Sequence, residues 1–122
     1  MRYLCLVYAD EATLNAMPQP EVDALIDETL ANNQELAASG QLVLAEALEQ
    51  VAAAATVRVR NRRLSATDGP FAETREQLGG FVLIEARDLN EAIQLAGRIP
   101  GARIGSVEVR PVIDLRRERS TP

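Results

Sequence analysis

The residues RYLCLVY (2–8) are apolar at both alternating sets of positions, with Tyr3, Cys5 and Val7 on one side and Leu4, Leu6 and Tyr8 on the other. A strand with that pattern is covered on both faces. GGFVLIEA (79–86) repeats the pattern and predicts a second central strand. QLVLAEAL (41–48) predicts another strand, and SVEVRPVI (106–113), which alternates, predicts the last. TVRVRNRR turns Val57 and Val59 inward and Arg58, Arg60 and Arg62 outward, which describes a half-solvated strand. Asn61 to Arg63 then make a hairpin turn, and Leu64 to Thr67 return from it.

Two segments follow a helical period instead. After a polar stretch containing Pro18 and Pro20, Val22, Leu25, Ile26, Leu30, Leu36 and Ala37 recur at helical spacing, with Glu21 and Asp23 in the first turn and Gly40 as the stop. Asp88 opens DLNEAIQLAGRI, with Glu91 completing a capping box and Leu89, Ala92, Ile93, Ala96 and Ile99 facing inward; Pro100 and Gly101 end it. LRRERSTP, after residue 114, is a charged tail expected to fray.

The order strand, helix, strand, hairpin, strand, helix, strand predicts a single α+β domain over residues 1–122: a ferredoxin-like protomer with an added hairpin. Two helices cover only one face of such a sheet. The strands that are apolar on both sides therefore need a second cover, and the simplest is another copy of the chain, giving a homodimer packed sheet to sheet.

Composition removes whole classes of chemistry. At 122 residues the chain supports one core, and its 47% hydrophobic and 25% charged residues are ordinary for a globular domain. It has no His and no Lys, all 13 basic residues being Arg, so Ser-His and Cys-His pairs, imidazole metal ligands, Schiff bases and P-loop lysines are excluded. Neither a metal site nor a cofactor is expected. Catalysis would rest on carboxylates, Arg, Tyr, hydroxyls or the backbone. The single Cys5 lies in an apolar strand and reads as a small buried hydrophobe. A net charge of -5 argues against nucleic acid, and the Arg58, Arg60, Arg62 stripe reads as a solvated face. The apolar N-terminal run is too short for a signal peptide or a membrane span, so a cytoplasmic protein is expected.

The candidate site is DGPFAETREQLGGF (68–81). Asp68, Gly69 and Pro70 are turn chemistry, which accounts for them without any function. Phe71, Glu73, Arg75 and Glu76 are not needed by a turn. An aromatic ring beside convergent charges suits a small-molecule pocket: Asp68 as base, Arg75 as a clamp for an anionic group, Phe71 as a wall, with Gly69, Pro70 and Glu73 lining it. An aspartate near 3.9 would need desolvation to raise it by about 2 units to serve as base near neutrality. Tyr8, at the end of the first strand, is the auxiliary proton donor, although a strand-end Tyr is more often core with its hydroxyl at the rim. Gly79 and Gly80 read as a bulge, or as an approach of backbone N–H groups to an anion.

DGPFAETREQLGGF, together with GSVEVRPV (105–112), YLCLVYADE and TVRVRN, resembles the YCII-related family in its DGPF-containing branch, over nearly the whole chain. The resemblance implies a dimeric α+β barrel of ferredoxin-like protomers and a pocket near the dimer interface, carrying in some branches a His and an Asp. It also implies a link to alternative sigma factors, whose genes often neighbour those of DGPF members. Three positions depart from the pattern: Ile104 where His is expected, Val82 where Tyr is common, and Arg75 where Lys is frequent. Without the imidazole a His-Asp mechanism is out of reach. The expectations are thus a cofactor-independent lyase, isomerase or hydrolase using Asp68, or a non-catalytic regulatory module with a protein partner in transcription.

Overall fold

A computed structural model describes residues 1–119. The strands are β1 (Arg2–Ala9), β2 (Leu42–Ala47), β3 (Ala55–Arg60), β4 (Arg63–Asp68), β5 (Gln77–Glu85) and β6 (Ser106–Pro111). The helices are α1 (Glu11–Ala16), α2 (Gln19–Ala38), α3 (Leu89–Ala96), α4 (Gly101–Ile104) and α5 (Leu115–Arg119). Four strands form an antiparallel sheet in the order β2-β5-β1-β6, and β3 pairs with β4 in a separate two-stranded sheet. This mixed α+β arrangement is compatible with a ferredoxin-like plan carrying an inserted hairpin.

The register explains the two-faced strands. Tyr3 and Cys5 on β1 and Val82 and Ile84 on β5 are buried with Leu36 of α2 and with Ala92, Leu95, Ala96 and Ile99 from α3 and the turn after it. The alternate residues Leu4, Leu6, Tyr8, Phe81 and Leu83 lie on the opposite face and are only half-buried. Gly79 is the extra residue where Val7 pairs with Gly80 but Tyr8 with Leu78, so the glycine pair does mark a bulge.

Local chemistry fixes the helices. Asp88 accepts a hydrogen bond from Glu91 N at 2.9 Å, and Glu91 in turn accepts one from Arg87 N at 3.0 Å, one residue outside the expected box. Gly40, at φ 77, closes α2: Gly40 N donates to Ala37 O and Gln41 N to Leu36 O.

Four expectations need correction. The polar stretch after β1 contains α1, because Asp10 caps it by accepting from Ala12 N at 3.0 Å. Pro100 and Gly101 do not end the second helix: α3 stops earlier, at Ala96, and Pro100 is the N-cap of α4. Val57 and Val59 do not face inward but are 60% and 56% exposed, since the hairpin forms its own sheet. Arg62 leaves the predicted stripe because it occupies the turn with Asn61, both at positive φ (64 and 51), while Arg63 pairs opposite Arg60. Leu115–Arg119 of the tail form α5, and residues 120–122 lie outside the described residues.

Candidate functional site

The DGPF bend is a well-secured turn. Asp68 ends β4 opposite Ala55, and Gly69, at φ 96, adopts a conformation that disfavours any side chain. Gly69 N donates to Ala54 O at 2.7 Å, while Thr56 Oγ1 donates to Gly69 O at 2.9 Å. Further along, Thr74 Oγ1 donates to Glu76 O and Gln77 Nε2 to Thr74 O, both at 2.6 Å. Gln77 Oε1 accepts from Glu11 N at 2.9 Å, and Ser106 Oγ donates to Glu76 Oε1 at 2.8 Å. Gln77 and Glu76 thus pin the bend to the end of the main sheet.

The other expected site residues stand in water. The Asp68, Glu73 and Arg75 side chains are exposed and make no hydrogen bond or ion pair with any described residue, Pro70 is exposed, and Phe71 is 79% exposed. Tyr8 lies on the open face of the main sheet, where its hydroxyl donates to Glu108 Oε1 at 3.4 Å. Partial desolvation raises the Tyr8 pKa, the Glu108 charge and hydrogen bond add to that, and Arg110 opposes it. Asp68 ends a strand of the hairpin sheet and Tyr8 belongs to the main sheet, and no hydrogen bond links the two side chains.

A concave opening in the protomer lies elsewhere. Of the 20 residues of α2, only Leu36 near its C-terminus is fully buried. Upstream, the helix leaves an opening of about 390 Å³ between itself and the sheet, within the range of small-ligand sites. Leu25, Ile26, Thr29 and Leu30 of α2 form one wall, Val7, Ala45 and Val82 the floor, and Pro100, Gly101 and Ile104 the end. Gly80 lets β2 come close, since a Cβ there would lie 2.8 Å from Glu46 O. Glu46, the ionisable residue at this wall, pairs with Phe81 and is sent by strand alternation to the opposite face. An ion pair between Glu28 of α2 and Arg103 of α4 joins the two helices.

The sequence carried one signal of this cavity: Asn32 and Asn33, poor helix formers, interrupt the apolar stripe of α2 and line the opening. Among the described residues, no three Cys, Asp or Glu side chains come together as metal ligands, and no helix is long and apolar enough to cross a membrane.

Cys5 is fully buried, and desolvation raises its pKa from 9.0 to about 11. Below pH 9 the thiol is neutral in both the folded and unfolded states, so its contribution to stability is intact. Between pH 9 and 11 the unfolded chain ionises while the folded one does not, and stability falls by up to about 2–3 kcal/mol. Urea titrations of the parent and of Cys5→Ala should therefore differ in pH slope over that window and run parallel below it. Identical slopes above pH 9 would rule out the burial effect.

Comparison with known proteins finds a relative and a family for the chain. An uncharacterized protein, R00369, from Rhizobium meliloti (strain 1021) is 37% identical over 114 residues, which span 92% of each chain. The YCII-related domain matches residues 1–116, so this chain belongs to the YCII-related family.

Proposed function

We propose that this protein binds a small organic molecule in the cavity beneath α2 and works as a homodimer that covers the open sheet face. The cavity carries the proposal: it is concave, mostly apolar and formed by side chains of the main fold, as ligand sites are. The half-buried Leu4, Leu6, Phe81 and Leu83 supply the dimer surface, because an apolar sheet face in water favours a symmetric partner. With no His or Lys in the chain and the one carboxylate at the wall, Glu46, turned to the opposite sheet face, binding is what these residues support, and a ligand-sensing regulatory module fits them as well as an enzyme does.

A second proposal is favoured by the exposure of Phe71: the ligand sits at the Asp68 bend and a partner subunit completes the site. An aromatic ring left in water is the kind of anchor that a ligand or partner covers. Asp68 would then be the base, Arg75 the anion clamp and Tyr8 the donor of a cofactor-independent lyase, isomerase or hydrolase.

A thermal-shift screen of metabolites on the parent, Ala45→Phe and Asp68→Asn separates the two. A compound present at 100 times its Kd adds about 2.7 kcal/mol to stability, which raises Tm by several degrees. For a cavity ligand that shift disappears in Ala45→Phe, whose ring fills the floor, and persists in Asp68→Asn. The reverse pattern favours the bend, and a screen without any stabilising compound counts against both.

A further inference from the structure

We infer that the cavity takes an uncharged, largely apolar molecule of one or two rings with a single hydrogen-bonding group, held by the Asn32 and Asn33 amides; this rests on the cavity proposal above. The wall side chains Val7, Leu25, Ile26, Leu30, Val82 and Ile104 are all apolar. A charge moved into such a space loses its hydration and gains no partner. The charges closest to hand are already used: Glu28 and Arg103 satisfy one another outside the wall, and Glu46 belongs to the opposite face. Nothing in the wall is left to neutralise an ionic ligand.

The polar groups left at the wall are few. Thr29 Oγ1 already donates to Leu25 O at 2.8 Å. Asn32 and Asn33 line the cavity, and neither amide makes a hydrogen bond with any described residue. Each offers a donor and an acceptor, which matches a ligand hydroxyl, carbonyl or amide. They stand on the helix face that continues to buried Leu36, where an apolar residue would pack better unless a polar partner arrives. Ile26 and Leu30, 50% and 55% exposed at the same opening, are the apolar surface such a ligand would cover. A volume of about 390 Å³ lies toward the small end of ligand sites, which sets the limit at one or two rings.

The test uses three probes of one shape: 2-naphthol and naphthalene, uncharged at pH 7, and 2-naphthoate, ionised at pH 7. Because the chain lacks Trp, naphthyl fluorescence reports binding directly. 2-Naphthol should bind at least ten-fold more tightly than 2-naphthoate, and its advantage over naphthalene should vanish in the Asn32→Ala/Asn33→Ala variant. Alanine favours helix, so that variant folds. An unchanged preference in the double variant would refute the role of the amides. Equal or tighter binding of 2-naphthoate, abolished by Ala45→Phe, would refute the ligand class and leave the cavity proposal standing. If no probe binds, or if binding survives Ala45→Phe, the cavity proposal fails and this inference fails with it.

Discussion

Gly105→Ala is expected to lower folding stability by about 3 kcal/mol or more, the largest effect of an alanine at any of the chain's glycines. A Cβ at Gly105 would lie 2.0 Å from Tyr8 O and 3.0 Å from Ala9 Cα, both backbone atoms of the central strand β1. Neither can rotate aside, so relief requires β1 and β6 to separate where Tyr8 pairs with Ser106. Gly79→Ala is the matched control: its Cβ would meet only Val7 O at an ordinary 3.9 Å, and its effect should stay within about 1 kcal/mol. Urea denaturation followed by circular dichroism measures both. A Gly105→Ala protein as stable as its Gly79→Ala counterpart would show that the two strands yield freely there.

Leu83→Arg is expected to convert the proposed homodimer into folded monomers. Leu83 sits on β5 with Leu4 of β1 and Leu44 of β2 opposite it, at the centre of the open apolar face and without a carboxylate across either ladder. In a sheet-to-sheet dimer the substitution buries an unpaired guanidinium in each subunit, costing several kcal/mol, whereas in a monomer the side chain extends into water. Light scattering behind a sizing column should give twice 13.3 kDa for the parent and 13.3 kDa for the variant, with equal helical signals. A parent that elutes as a monomer at micromolar concentration would remove the dimer from the proposal; a variant that stays dimeric would move the interface to another surface.

The legible features were those that neighbouring residues decide. Two-sided apolarity in RYLCLVY and GGFVLIEA specified the central pair β1 and β5, because strand alternation acts over two residues and needs no knowledge of the partner. Asp88 with Glu91, and Gly40 at a positive φ, marked a helix start and a helix stop through bonds spanning a few residues. Helix α1 escaped because six residues with few apolar positions give no period to read, and its one signal, the Asp10 cap, preceded a stretch dominated by polar residues. Val57 and Val59 misled because alternation says which residues share a face and not whether anything covers that face.

The candidate site divides along the same line. The sequence alone determined a βαββαβ order with an added hairpin, a buried Cys5 and an Asp-Gly-Pro turn, all through contacts a few residues apart or through strict alternation. Tertiary structure alone decided that Asp68 and Tyr8 lie in different sheets, and that α2 packs through Leu36 while its upstream turns stand off the sheet. Those outcomes depend on how residues more than thirty positions apart share space: Gly80 against Glu46 of β2, and Gly101 and Ile104 across the opening from α2. No local period along the chain carries that geometry.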